Sequence, residues 1–420
     1  MTTKTATRLV IRGGRPLRGR VTVSGSKNAS LYALAAGLLT AEPVTLRRVP
    51  AIADIGEMAE VLRSLGADVT IEDETVHIEA REVNGRVPPA DQVAALRASF
   101  LVMGPLLARF GEAACPPPGG DVIGVRPLDV HLAGFNALGA DVRREGQEFV
   151  ARATRLRGTR IFLDYPSVLG TVNVLFAATL AEGTTTIINA AAEPEVAMAV
   201  EMLNLMGAKI AGGGTNVITV DGVEVLHGVD FTVIPDRIEA GTYLLAGVAT
   251  GGDVEVIGAT PDHLDSLITK LREAQVLVEP CEGGLRAARG DRFQAVQLQA
   301  VPYPGFATDL HAPMAAALTQ ASGVSIIHER VFENRLLYVG ELRSMGARIT
   351  TGGQAVMIEG PTPLFGTSVR ALDVRAGAAV VLAGLCAEGE TTIRDITHID
   401  RGYAHLVERL TALGADVSRE

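Results

Sequence analysis

Residues 63 to 69 read RSLGADV, and the same cadence returns as NALGADV at 136 to 142, NLMGAKI at 204 to 210, RSMGARI at 343 to 349 and TALGADV at 411 to 417. A degraded copy, LREAQVLV, begins at Leu271 and puts Gln275 where the others have glycine. Counted at that position (66, 139, 207, 275, 346 and 414), the spacings are 73, 68, 68, 71 and 68 residues, so the chain holds six copies of one unit. The element has a physical logic: an amphipathic helix closes on a glycine that supplies the left-handed C-cap, and a strand of β-branched residues follows. Each copy is a helix-to-strand corner.

Every unit also carries a second helix of small and apolar residues: ASLYALAAGLL from 29, SFLVMGPLLARFG from 99, VNVLFAATLAEG from 172, AGTYLLAGVATGG from 240, HAPMAAALTQASG from 311 and AGAAVVLAGLCAEG from 376. These runs are too short to span a bilayer. A helix apolar on nearly every side must be covered on every side, which predicts buried helix clusters walled by sheets, three units closing each of two domains. The fold class expected is therefore α/β, in two domains. A linear solenoid is the competing architecture, but a unit of 68 residues is longer than the common solenoid periods. The stretch GVDFTVIPD, 228 to 236, reads as the crossover. The first domain is expected over 27–234 and the second over 1–26 plus 235–420, with a site in the cleft between them.

Composition narrows the function. With 420 residues, 47% of them apolar, and a mean hydropathy of +0.26, the chain can bury a large core. Its 48 acids against 38 bases give a net charge of -10, which argues against a nucleic-acid partner although local basic pockets remain open. Three scattered cysteines, Cys115, Cys281 and Cys386, do not form a disulfide framework, and the eight histidines show no metal spacing. The start, MTTKTATRLVIRGG, lacks the pattern of a secretory leader. A cytoplasmic protein with neither metal nor membrane partner is expected.

Three stretches carry chemistry. In SGSKNASLYALAAGLL, 24 to 39, a strand ends in Gly-Ser-Lys-Asn before a buried helix. Free N–H groups, the helix dipole and Lys27 make an anion site there, and an ordinary N-cap beside a solvated lysine is the alternative. Arg97 in LRASF, Arg375 in DVRAGAAVV and Arg401 in HIDRGY read as arginines at helix starts. Cations gathered by an acidic protein suit a multiply anionic small molecule, whereas one such arginine alone is usually a solvated side chain. In YPGFATDLHAP, Asp309 stands just before a helix, either as its N-cap or as a general base for a substrate hydroxyl.

Together SGSKNAS, LRASFLVMGPLLARFG, PGGDVIGVRPLDVH, ERVFENR, DVRAG and HIDRGY resemble, in order and from about Leu9 to Val417, the UDP-N-acetylglucosamine 1-carboxyvinyltransferases, or enolpyruvyl transferases. The resemblance implies a two-domain inside-out α/β barrel and transfer of the enolpyruvyl group of phosphoenolpyruvate to the 3'-hydroxyl of UDP-N-acetylglucosamine, with no metal or redox cofactor. It implies that Lys27 and Asn28 contact phosphoenolpyruvate, that Arg126, Arg375 and Arg401 face its anionic groups, and that Arg97 contacts the nucleotide sugar. Arg126, Pro127, Leu128, Asp129 and Val130, with Ser167, Val168 and Val331, correspond to the uridine and diphosphate site. Asp309 corresponds to the base or orienting acceptor for the sugar hydroxyl. Lys27, Asp121, Asp309 and Arg401 are the implied catalytic set.

The chain departs from the family pattern where many members read GGC and it reads GGD, so Asp121 takes the place of the cysteine proton donor, with Cys115 off the motif. Gly119 and Gly120 are expected to let this loop swing. Ala53, Tyr165, Leu169 and Ala192 also depart from the pattern, and the departures at Ala53 and Ala192 are the sole support for a catalytically weak nucleotide-sugar-binding paralogue. A third reading, 5-enolpyruvylshikimate-3-phosphate synthase, lacks its GSKS and GNAGTxxR signatures here.

Overall fold

The computed structural model describes residues 8–420, so the first seven residues of the span expected for the second domain lie outside it. The chain divides into two compact units. One comprises the described residues up to Ser24, Val122–Val125 and Pro235–Glu420; the other comprises Gly25–Asp121 and Arg126–Ile234. Among the described residues there are six sheets, three in each unit.

One pattern underlies the repeats. A core helix leads to a strand, an amphipathic helix follows, and two antiparallel strands close the unit; in the sixth repeat one of these two is Asp416–Arg419 and the other is Arg8–Arg12. The third repeat shows it complete: strand Arg160–Phe162, core helix Val168–Thr179, strand Thr184–Ile188 parallel to the first, helix Pro194–Leu205, then Lys209–Ala211 and Val217–Asp221 antiparallel. The six core helices are Lys27–Ala36, Met103–Phe110, Val168–Thr179, Arg237–Ala249, His311–Leu318 and Val374–Cys386. In the last of these, every residue from Val374 to Leu385 is buried, as helices apolar all round require.

The repeated glycine does what its position predicts. Gly66, Gly139, Gly207, Gly346 and Gly414 all have φ between +92° and +101°. In each case the glycine N–H and the next N–H turn back onto the helix, as in Gly66 to Arg63 (2.9 Å) and Ala67 to Leu62 (3.1 Å), which is the Schellman arrangement. Gln275, in the degraded copy, makes the same two bonds at φ +65° despite its Cβ.

A linear solenoid is ruled out by how the sheets close. In one unit, Val229–Thr232, from the end of its last repeat, pairs parallel with Val44–Arg47 of its first. The segment expected as the crossover, residues 228 to 236, therefore contributes a strand to this sheet before the chain passes to the other unit at Pro235. In the other unit, Arg18–Thr22 pairs parallel with Asp253–Ile257, and Arg8–Arg12 lies between Glu390–Arg394 and Asp416–Arg419. The repeats thus close into rings.

Candidate functional site

The repeat sorts the chemistry-bearing residues into two kinds of place. One is the start of a core helix: Lys27 and Asn28, Ser167 and Val168, Asp309 just before His311–Leu318, and Arg375. Arg97 opens the 3-10 turn Arg97–Val102 that leads into the core helix Met103–Phe110. The other is the loop after the next strand, which carries Asp121 with Arg126, Pro127 and Leu128, then Val331, and Arg401 at the end of a short helix. Apart from Arg97, which follows the helix Ala90–Ala95, both lie beyond the carboxyl ends of strands, where α/β folds expose backbone N–H groups and bind ligands.

In the unit built on Gly25–Asp121 and Arg126–Ile234, Ser26 caps the first core helix, its hydroxyl accepting from the Ala29 N–H at 3.4 Å. Lys27 is buried rather than solvated, and its Nζ meets the Asp54 carboxylate at 2.7 Å. Asp54 is itself only 2% exposed. It escaped the sequence reading because an acid in the first turn of a helix, here Ala53–Ser64, ordinarily just answers the helix dipole.

The Asp121 loop is braced through its backbone. Arg97 donates to the carbonyl of Pro118 at 3.1 Å and to that of Arg126, so it grips both ends. Arg126 donates to the Asp121 carbonyl and has φ +44°, a conformation uncommon for a side-chain-bearing residue. Gly120 has φ +94°. Gly119 is needed for another reason: a Cβ there would sit 1.9 Å from the Ala94 carbonyl oxygen, and its N–H donates to Val93 at 3.2 Å. Gly119 is a tether, which corrects the swing expected of it. Burial, and then Arg126, lower the Arg97 guanidinium to about 10, so it stays charged at neutral pH. Cys115 is buried on the strand Glu112–Cys115, and burial pushes its thiol far above the ordinary range.

The helices Asp129–Ala137 and Val168–Thr179 pack with their first turns together, since a Cβ on Gly170 would lie 2.6 Å from Val130 Cγ1 and 3.0 Å from Ser167 Oγ. Asp129, Val130, Ser167 and Val168 are thereby gathered at one place. Ser167 caps its helix by accepting from Gly170 N–H at 3.2 Å. Behind them His131 Nδ1 lies 3.0 Å from Asn173 Nδ2, which also donates to the Phe100 carbonyl. Burial, reinforced by Arg97, lowers this imidazole to about 3.

In the other unit, Asp309 is not a helix N-cap. It sits in the 3-10 turn Thr308–Leu310, and its carboxylate is held by Arg335 at 2.7 Å on Oδ1 and by Arg375 at 3.0 Å on Oδ2. Arg375 is 5% exposed, so the solvated alternative fails for it. Burial would lower its guanidinium, but Asp309, Tyr403 and Asp236 raise it above its ordinary value. Asp373 caps this helix, accepting from the N–H groups of Arg375 (2.7 Å) and Ala376 (3.0 Å). Arg401 follows Thr397–Asp400 as its C-cap, so it ends a helix and does not start one. Arg335, inside the ERVFENR stretch, was not singled out, because nothing local in the sequence says that its partner lies at 309.

Ala53 is exposed at the start of its helix, Tyr165 is exposed, and Leu169 and Ala192 are half-buried. Among the described residues no group of three or more His, Cys, Asp or Glu side chains could hold a metal ion, and no helix is long and apolar enough to cross a membrane.

Comparison with known proteins places these features. Residues 11–410 match the family model described as EPSP synthase (3-phosphoshikimate 1-carboxyvinyltransferase). UDP-N-acetylglucosamine 1-carboxyvinyltransferase 2 of Carboxydothermus hydrogenoformans is 49% identical over 98% of this chain and 99% of its own. UDP-N-acetylglucosamine 1-carboxyvinyltransferase 1 of Caldanaerobacter subterraneus is 46% identical over 99% and 100%. Among solved structures, the enolpyruvyl transferase NikO of Streptomyces tendae superposes with a TM-score of 0.88 at 28% identity, covering 99% of each chain. EPSP synthase of Acinetobacter baumannii superposes at 0.74 and 19% identity over 98% of this chain and 100% of that one, a likeness of fold. The architecture is the two-domain inside-out α/β barrel of the enolpyruvyl transferases.

Proposed function

Because the chain belongs to the EPSP synthase family and, within it, to the UDP-N-acetylglucosamine 1-carboxyvinyltransferases, we propose that it transfers the enolpyruvyl group of phosphoenolpyruvate to the 3'-hydroxyl of UDP-N-acetylglucosamine. Phosphate is released, and in the cytoplasm this is the first committed step of peptidoglycan biosynthesis. The observation that carries the reading is the 49% identity to a curated relative over nearly the full length of both chains.

The residues have the chemistry for each step. Lys27, Arg126, Arg375 and Arg401 supply cations for the phosphate and carboxylate of phosphoenolpyruvate. Asp121 gives a proton to the methylene carbon while the sugar oxygen bonds to the adjacent carbon. Loss of phosphate, which leaves with the proton given up by the sugar hydroxyl, and return of a methyl proton to Asp121 then restore the double bond. Asp309 serves the sugar hydroxyl. Two guanidinium partners stabilise its charged form, so it suits the role of an acceptor that aims the hydroxyl, and taking the proton outright requires an arginine to loosen. Arg97, Asn28, Pro127, Leu128, Asp129, Val130, Ser167, Val168 and Val331 serve binding.

The test is phosphate release from purified protein given phosphoenolpyruvate with UDP-N-acetylglucosamine, and in parallel with shikimate-3-phosphate. Release with the nucleotide sugar alone is expected. Release only with shikimate-3-phosphate, or with neither, sinks the proposal.

A further inference from the structure

Glu329 ends the strand Gly323–Glu329 and is 1% exposed. Each of its oxygens serves a different segment. Oε1 accepts from the backbone N–H groups of Val331 (2.8 Å) and Phe332 (3.2 Å), at the head of the loop that runs on to Arg335. Oε2 accepts from the Thr308 hydroxyl (2.8 Å), inside the turn that bears Asp309, and lies 2.8 Å from His311 Nδ1, at the start of the helix behind it. Burial alone would raise this carboxyl, but His311, Val331 and Thr308 hold it below the usual range, so it is charged. Burial keeps His311 neutral, which makes Nδ1–H the donor. A buried carboxylate is costly unless its lone pairs are met, and here the donors come from two segments that the proposed reaction uses. Its side chain has no exposure, so it cannot touch substrate.

We propose that Glu329 is a positioning residue for enolpyruvyl transfer: it staples the Asp309 turn to the Val331 loop, so that the group serving the sugar hydroxyl and the group reading the nucleotide keep one fixed relation. Arg335 completes the frame, since it leaves that same loop to grip Asp309 at 2.7 Å. The inference rests on the transferase reading. Displacement of a hydroxyl-orienting carboxylate by a fraction of an ångström acts on the transition state more than on binding.

The experiment uses Glu329→Gln, Thr308→Val and the double variant in the full chain, with kcat, the KM for UDP-N-acetylglucosamine, melting temperature and amide exchange over 308–310. Both single variants should lose about tenfold or more in kcat with KM within about threefold of wild type, because the residues that contact substrate are untouched. The double variant should lose little more than the worse single one, since both break the same contact. Exchange over 308–310 should rise without a general rise elsewhere. Thr308→Val, a mild change, decides if Glu329→Gln fails to fold. Values of kcat within about twofold of wild type, or losses that multiply in the double variant, overturn the inference. A wild type inactive with both substrates would sink the transferase reading instead, and the exchange data would then decide the staple by themselves.

Discussion

Lys27 and Asp54 form an ion pair at 2.7 Å with side chains only 11% and 3% exposed, which joins the first core helix to the amphipathic helix of the same repeat. Removing one partner of such a pair strands the other charge, so Asp54→Ala is expected to cost about 3 kcal/mol or more in stability. The double change Lys27→Met with Asp54→Leu should recover much of that loss while abolishing phosphate release. Urea unfolding of the wild type and the two variants measures this, and an Asp54→Ala protein as stable as wild type would contradict the pairing.

Asp121 is expected to be indispensable as an acid. Asp121→Asn keeps its shape but has no proton to give, and should turn over at least about a hundredfold more slowly. Asp121→Cys should retain turnover and become subject to time-dependent inactivation by fosfomycin, which alkylates a thiolate far more readily than a carboxylate. The wild type should resist the drug, because Cys115 is buried with its thiol held protonated. A fosfomycin adduct found on wild-type protein by mass spectrometry would refute the assignment.

The glycines separate two effects that one residue type conceals. Gly119→Ala should displace the Asp121 loop and cut turnover, because its Cβ would lie 1.9 Å from a backbone oxygen. Gly139→Ala meets no atom within 4 Å but sits at φ +92°, and should cost about 1 kcal/mol from backbone conformation alone. The reverse change at Gln275, φ +65°, should gain about 0.5–1 kcal/mol as Gln275→Gly. Denaturant midpoints of the last two variants that move in the same direction would refute the cap argument.

His131 makes stability depend on pH. Its imidazole falls from an ordinary 6.5 to about 3 in the folded protein, first through burial and then through Arg97. Between those values the unfolded chain binds the additional proton, so stability falls as pH falls through that window, by about 1.4 kcal/mol per unit from this group. His131→Gln, which can still accept from Asn173, should remove that component. Unfolding free energies of the two proteins from pH 7 to 4 that run parallel would reject it.

The repeat was legible because a left-handed C-cap leaves a mark on sequence that little else does, and even Gln275 was found by register alone. Closure was legible less directly: buried helices called for walls, but which strand completes which sheet depends on pairings such as Val229 with Val44. The positions of Lys27, Arg375 and Asp309 followed from motifs, while their partners did not. In the sequence Asp54 is an acid in the first turn of a helix, Arg335 one arginine among many and Glu329 the first residue of ERVFENR, and nothing local marks any of them. Each acquires its role from a contact across tens of residues that no local pattern encodes.

Arg8–Arg12 and Arg18–Thr22 find their partners in Glu390–Arg394, Asp416–Arg419 and Asp253–Ile257. A ribosome therefore makes these strands well before their neighbours. While the ring of residues 25 to 234 can already close, the two early strands wait without a sheet, as edges that invite pairing with any other nascent chain. Both strands carry two arginines, at the two ends of the apolar run in RLVIR and at alternate positions in RGRVT, and charges on exposed strands keep them from aggregating. In the finished fold three of these arginines meet acids in or next to those later strands, Arg8 with Glu420 at 2.6 Å, Arg12 with Glu390 at 2.8 Å and Arg20 with Glu255 at 2.5 Å, so one set of charges guards the strands early and joins their neighbours late.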